Sequence, residues 1–211
     1  MKIVIYGASG QGRVTADLLR QTRKHTVIGF VDDEPAKKGS RLDGLPVFGS
    51  FEEWTRLRIS RSVKGVTLAI GDGEMRSKVA QRVTQRGFQL VGFVHPRAVV
   101  SSRASIEPTA MVWPQAVINA GARVGLSSIV NTAAVVEHDV EVGAFVHLAP
   151  NSTLCGNVII GDYSWVGAGA VVIQGIKVGE KVMIGAGAVV VRDVPPSVVG
   201  SGVPFRIHSR K

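Results

Sequence analysis

Residues 118–148 read INAGARVGLSSIVNTAAVVEHDVEVGAFVHL, and Ile118, Val124, Val130, Val136, Val142 and Leu148 fall six apart within them. The phase continues without insertion in both directions: back through Val112 and Ile106 to Val100, and on through Leu154, Ile160, Val166, Val172, Val178 and Ile184 to Val190. Two positions before each aliphatic stands a mostly small residue, among them Ala98, Ala110, Ala122, Ser128, Ala134, Ser152, Ser164 and Ala188. A period of six is neither the helical repeat nor the alternation of a sheet face. It is the signature of a parallel β-helix, in which short strands wind around a prism and stack coil on coil.

Ahead of the repeat the pattern changes. KIVIY (residues 2–6) reads as a buried strand, followed by GASGQGR and an apolar-periodic helix through Leu18 and Leu19. Val27–Val31 reads as a second strand ending in Asp32-Asp33, and Ser50 as the cap of a short helix through Trp54. Val66–Ile70 forms a third strand ending in Gly71-Asp72-Gly73; a helix over about 74–86 and a strand over Leu90–Val94 follow. Strands alternating with helices predict a parallel sheet covered on both faces. His95-Pro96 closes this first domain, because a residue before proline is pushed out of the helical region. The expected domains are residues 1–97 (α/β), 98–194 (all-β parallel β-helix) and 195–211, a tail that leaves the repeat at Pro195-Pro196 and packs back along it.

The chain carries a net charge of +9, and 17 of its 25 Lys and Arg lie in residues 1–97 against 9 of its 16 Asp and Glu. This basic half suits an anionic small molecule or a solvated surface equally well. Nucleic acid is disfavoured: the charges are scattered, with no run and no stacking aromatics between them. Cys155 is the only cysteine, which forbids an internal disulfide and fits a reducing compartment. There is no apolar run long enough to span a bilayer and no secretory h-region after Lys2, so a soluble, cytoplasmic protein is expected. No Cys/His cluster has metal-ligand spacing.

Three features fall at strand C-termini, where open α/β sheets bind ligands: the loop Gly7-Ala8-Ser9-Gly10-Gln11-Gly12, the pair Asp32-Asp33, and Gly71. Backbone N–H groups of a glycine loop at a helix start hold phosphate, although a tight βα turn makes the same demand for glycine. The spacing G-x-x-G-x-G is not the dinucleotide fingerprint, which argues against a redox cofactor. Of the five histidines, His25 and His208 read as surface residues and His95 as structural. His138 lies between Glu137 and Asp139, and a carboxylate beside an imidazole orients it and raises its basicity. His147 falls one position before Leu148, near a corner, with an exposed corner residue as the alternative reading. Cys155 has no basic neighbour and reads as a passive small residue rather than a nucleophile.

Across nearly the whole chain the motifs YGASGQGR, GFVDD, DGLPVFGS, AIGDGEMR, NTAAVVEHD, FVHLAPNSTLCGNV, WVGAGAVVIQGIKVG, IGAGAVVVRDVP and GVP give a resemblance to a known family. The sequence resembles bacterial hexapeptide-repeat sugar acetyltransferases with a Rossmann-like N-terminal domain: the bacillosamine and perosamine N-acetyltransferases and the sialic acid O-acetyltransferases. The resemblance implies left-handed winding with three hexads per coil, just over five coils here and roughly 25 Å of prism at about 4.8 Å per coil. Residues 18 apart then stack, and the position over His138 is Gly156, which offers room and a backbone N–H. It further implies a homotrimer with acetyl-CoA between neighbouring prisms, His138 as general base and Asp139 as the residue that tunes it. Asn131, His147, Gly156, Ala168 and Ala186 match positions along the acetyl-CoA path. Ser9, Gly10, Gln11, Asp32, Asp33 and Gly71 match the nucleotide-sugar site, with Gln11 standing where many relatives have histidine. The expected activity is acetyl-CoA-dependent N-acetylation of a UDP- or GDP-linked amino sugar. O-acetylation of a sugar hydroxyl such as that of sialic acid fits the same residues, and a non-catalytic β-helix scaffold is the alternative of another class.

Overall fold

The computed structural model describes residues 1–57 and 62–210, so residues 58–61 of the expected first domain and Lys211 of the expected tail lie outside the described residues. The chain divides into two compact units, one of residues 1–71 and 75–91, the other of residues 72–74 and 92–211.

The first unit is built on a parallel sheet of β1 (Lys2–Tyr6), β2 (Thr26–Val31), β5 (Gly65–Leu68) and β6 (Gln89–Leu90), ordered β2-β1-β5-β6. The hairpin β3 (Arg41–Leu42) and β4 (Leu45–Pro46) follows β2. Helices α1 (Gly10–Thr22), α2 (Phe51–Arg56) and α3 (Gly73–Gln85) alternate with the strands. β1 is buried over Ile3, Val4 and Ile5, as a central parallel strand must be. α1 turns Ala16, Leu18 and Leu19 inward, and a cluster of Tyr6, Phe51, Trp54 and Phe88, with ring centroids 5.0–5.9 Å apart, packs α2 in place. Ser50 caps α2 as the sequence predicts, within a full capping box: Ser50 Oγ accepts from the Glu53 N–H and Glu53 Oε2 from the Ser50 N–H.

The second unit is a parallel β-solenoid of two-residue strands on three faces. Face one carries Phe93–Val94, Met111–Val112, Ile129–Val130, His147–Leu148, Trp165–Val166 and Met183–Ile184. Face two carries Val99–Val100, Val117–Ile118, Val135–Val136, Thr153–Leu154, Val171–Val172 and Val189–Val190. Face three carries Ser105–Ile106, Arg123–Val124, Glu141–Val142, Ile159–Ile160 and Lys177–Val178. The register pairs each residue with the one 18 further on, as in Met111 with Ile129 and Val135 with Thr153, so three hexads do make one coil. The second residue of each strand from Val112 onward points inward and is buried. The small residues two positions earlier fill the prism beside them; Ser128 and Ser164 stay satisfied there by donating to the Gly143 and Gly179 carbonyls.

Every sixth residue from Gln115 to Gly187 adopts the left-handed conformation, and only four of these thirteen corner positions are glycine: Gly121, Gly169, Gly175 and Gly187. The others, Asp139, Phe145, Asn157 and Tyr163 among them, hold φ near +60° against its usual cost because the stacked coils fix the corner.

Two expectations need correction. Leu90–Val94 is not one strand of the first sheet: Gln89–Leu90 pairs with β5, whereas Phe93–Val94 pairs with Met111–Val112 and opens the solenoid. Val94 already lies six before Val100, so face one has six such strands rather than five and the solenoid seventeen hexads rather than sixteen. The tail loses the period but stays in the sheet. Val198–Ser201 stacks on Met183–Ile184, and Arg206–Arg210 returns antiparallel to it, so the tail extends face one rather than running along the coils.

Candidate active site

His138 and Asp139 form the corner between faces two and three, after Val135–Val136 and before Glu141–Val142. Asp139 is the left-handed residue of that corner, with φ 58°. Its Oδ2 lies 3.0 Å from His138 Nδ1. A carboxylate there is served by an Nδ1–H, which leaves the Nε2 lone pair as the free acceptor. Both side chains are more than half exposed in the single chain.

The stacking puts a glycine on either side of this pair. A methyl group at Gly156 would stand 2.5 Å from His138 Cε1 and Nε2. Gly156 is buried, and its N–H finds no hydrogen-bond partner among the described residues. One coil the other way, a methyl at Gly121 would run into Asp139 Oδ1. Sequence reading identifies Gly156 and misses Gly121, although the same 18-residue step taken backwards from Asp139 lands on it.

The remaining positions on the expected acetyl-CoA path lie elsewhere on the prism. Asn131, Ala168 and Ala186 occupy the corner between faces one and two, where Asn151 N–H donates to Thr132 O, Gly169 N–H to Pro150 O and Gly187 N–H to Ala168 O. Ala168 and Ala186 are exposed and flanked by glycines, a shelf with no side chain larger than methyl. Asn131 Oδ1 accepts from the Thr132 N–H at 2.7 Å, and its Nδ2 lies 3.2 Å from His147 Nε2. An amide nitrogen only donates, so His147 Nε2 accepts and the ring carries its proton on Nδ1. His147 is only 4% exposed and packs on Trp165 with centroids 4.1 Å apart, which corrects the exposed-corner reading. The physical reason is its face: outward residues of face one, such as Met111 and Ile129, are buried, whereas those of faces two and three reach the surface. One chain therefore brings together His138, Asp139 and Gly156 but leaves Asn131, Ala168 and Ala186 across the width of face two.

In the first unit, the glycine loop joins β1 to α1 with Ser9 as N-cap. Gly7, at φ +108°, would drive a methyl to 2.7 Å from Ala69 O, and a methyl at Gly12 would strike Gly7 O, so packing alone demands both. Gly10 meets nothing within 4 Å and is exposed, so packing does not explain it; open backbone at a helix start does. Asp32 fastens this loop: Oδ2 accepts from the Ala8 N–H at 2.7 Å and from Lys37 Nζ at 2.8 Å, and Oδ1 from the Glu34 N–H at 3.0 Å. Asp33 Oδ2 accepts from the Tyr6 hydroxyl at 2.6 Å and Arg82 Nη1 at 2.8 Å, and Oδ1 from the Phe51 N–H that opens α2. Burial works to raise both carboxyls, but these hydrogen bonds and the Lys37 and Arg82 charges outweigh it and hold both below the usual carboxylate range. Burial, then the bond to Asp33, pushes the Tyr6 phenol well up. Each aspartate retains spare acceptor capacity on Oδ1. The carbonyls of Ile70 and Gly71 accept from Nη1 of the fully buried Arg76, each at 2.7 Å. Gln11 Nε2 is buried without a partner among the described residues. Gly73, read with Gly71 from sequence, belongs to the second unit, where a methyl would meet the Phe145 carbonyl. Lys37, Tyr6, Arg82 and Arg76 have no local motif that marks them.

Residues 2–83 match the family model of the PglD N-terminal domain, and residues 157–192 match the bacterial transferase hexapeptide (six repeats). The chain is similar to a histidine-to-asparagine variant of perosamine N-acetyltransferase from Caulobacter crescentus, solved with CoA and GDP-perosamine: 37% identity, 99% of this chain and 97% of that one, TM-score 0.92. The acetyltransferase domain of PglB from Neisseria gonorrhoeae, solved with acetyl coenzyme A, is 36% identical over 98% of both chains, TM-score 0.89. WeeI from Acinetobacter baumannii is 28% identical over 99% of this chain and all of its own, TM-score 0.91.

Proposed function

This chain belongs to the hexapeptide-repeat sugar acetyltransferases that carry a PglD-type N-terminal domain, and we propose that it transfers the acetyl group of acetyl-CoA to the amino group of a nucleotide-linked amino sugar. The observation that carries the reading is the His138–Asp139 pair set beneath the N–H of Gly156, which has no partner among the described residues. His138 Nε2 takes the proton as the sugar amine attacks the thioester carbonyl, and Asp139 holds the ring in the tautomer that can do so. The Gly156 N–H donates to the oxygen on which charge develops. The thiol leaves directly, with no covalent acyl-enzyme: Leu154 and Gly156, the sequence neighbours of Cys155, carry no base to activate it.

The shelf of Ala168 and Ala186 suits the thin arm of acetyl-CoA, with Asn131 and His147 at its foot. Shelf and base lie on different corners, so a complete site needs a second copy that presents its shelf to the first copy's His138. Such a head-to-tail contact closes as a ring, and we assign a homotrimer. Face two supports this: Val99, Val117, Val135, Val171 and Val189 point outward along it, whereas face three presents Arg123, Glu141 and Lys177. Ser9, Gly10, Gln11, Asp32, Asp33 and Gly71 hold the nucleotide end of the acceptor. Dependence on acetyl-CoA and a nucleotide sugar suits a cytoplasmic enzyme; among the described residues no helix is long and apolar enough to cross a membrane.

The test is a panel of UDP- and GDP-linked amino sugars and sialic acid, each incubated with acetyl-CoA and read as thiol release. Release with a nucleotide-linked amino sugar is expected. Release with sialic acid alone would move the reading to O-acetylation. Silence throughout, with no rise in melting temperature on adding acetyl-CoA, would leave a scaffold.

A further inference from the structure

The corner column at positions 121, 139, 157 and 175 is left-handed throughout, with φ of 78°, 58°, 60° and 75°. Its occupants are Gly121, Asp139, Asn157 and Gly175. Asparagine and aspartate tolerate this conformation, so backbone alone does not require glycine at either end. The two glycines nonetheless differ in surroundings. Nothing lies within 4 Å of a methyl group placed at Gly175, whereas one at Gly121 would overlap Asp139 Oδ1 and stand 3.2 Å from Asp139 Cγ. The atoms it meets are the far end of a side chain, so the coil absorbs the methyl by moving the carboxylate rather than the backbone. The carboxylate's other oxygen is the one that holds His138 Nδ1 at 3.0 Å.

We infer that Gly121 is a positioning residue for catalysis: by leaving the space under Asp139 empty, it lets one carboxylate oxygen drop toward the coil below while the other fixes the His138 ring. Gly121 touches no reacting atom and acts only through Asp139. The pair is therefore set from both sides, by Gly121 under the carboxylate and Gly156 over the imidazole. This rests on the general-base reading of His138, and the experiment separates the two.

Gly121→Ala and Gly175→Ala impose the same left-handed alanine on the same column, and only the first collides with Asp139. Gly121→Ala is expected to lower kcat at least about tenfold, with the KM of both substrates within about twofold, since the loss is confined to the reacting geometry. Gly175→Ala should stay within about twofold of the parent on every constant. In an Asp139→Asn background the Gly121 substitution should add little, because the contact it disturbs is already lost. Histidine-selective 15N spectra, with His138 assigned by its absence in His138→Ala, should show the Nδ1–H tautomer in the parent and in Gly175→Ala, and a mixture in Gly121→Ala. Equal kcat in Gly121→Ala and Gly175→Ala, or an unchanged His138 tautomer, overturns the inference. If Gly121→Ala does not fold, Gly121→Ala with Asp139→Ala must restore folding by making room for the methyl, and failure to restore it also overturns the inference. Full turnover by His138→Ala would instead sink the general-base reading, while the tautomer comparison would still decide whether Gly121 sets the ring.

Discussion

His138 has its partner on the adjacent residue, so one corner of the solenoid suffices to build the proposed base and its orienter together. His138→Ala should lower turnover by about two to four orders of magnitude, as for loss of a general base, with the fold unchanged because the side chain is exposed. Gly156→Ala should act through a different route. Its methyl displaces the imidazole and covers the N–H, so kcat falls by about one to three orders of magnitude while nucleotide-sugar KM holds. Rates on the cognate amino sugar check both; a Gly156→Ala enzyme with parental kcat would remove the stacked geometry from the mechanism. The meeting of His138, Asp139 and Gly156 is legible in the sequence because a fixed period converts sequence distance into spatial address. Gly121 is equally addressable, but a glycine at a left-handed corner explains itself and draws no attention to Asp139. The exposed-corner reading of His147 fails because period six gives inward and outward but not which outward face is covered.

At the scale of elements, Asp33 joins β2 to α2: it takes the first N–H of the helix while Tyr6 and Arg82 hold its other oxygen. Its carboxyl titrates lower in the fold than in the unfolded chain. Its stabilising contribution is therefore complete above the unfolded value, about 3.9, and is lost as pH falls through the lower folded value. Asp33→Asn should cost about 1–2 kcal/mol at pH 7, since a half-exposed charged group is discounted for solvent screening. The parent should lose stability faster than the variant below about pH 4, so the two denaturation curves converge in acid. Parallel curves down to pH 2 would show that the bonds to Asp33 do not favour its ionised form. Sequence located the α2 cap because Ser50 and Glu53 are three apart, a local signal. Tyr6, Asp33 and Arg82 are 27 and 49 residues apart, and no periodicity links them. Leu90–Val94 reads as one strand for a related reason: an apolar pentapeptide spans the last strand of one sheet and the first of another, and only pairing shows the break.

At the scale of the whole molecule, the proposed base lies on one corner and the proposed acetyl-CoA shelf on another, a reading in which each chain supplies two halves of different sites. Consider His138→Ala, which keeps the shelf, and Ala186→Trp, which keeps the base and fills the shelf. Each homotrimer should be nearly inactive. In a head-to-tail ring, each mixed trimer has one interface where an intact His138 faces an intact shelf. Unfolding and refolding the two variants together in equal amounts should therefore restore about one quarter of parental activity, given random assortment into closed threefold rings. Refolding each alone should restore none, and mixing them without unfolding should restore only what subunit exchange allows. Sedimentation must give the same trimer in every sample for the comparison to hold. Inactive mixtures of well-formed trimers would mean that shelf and base serve one another within a single chain, and that the oligomer, if it forms, does not build the site.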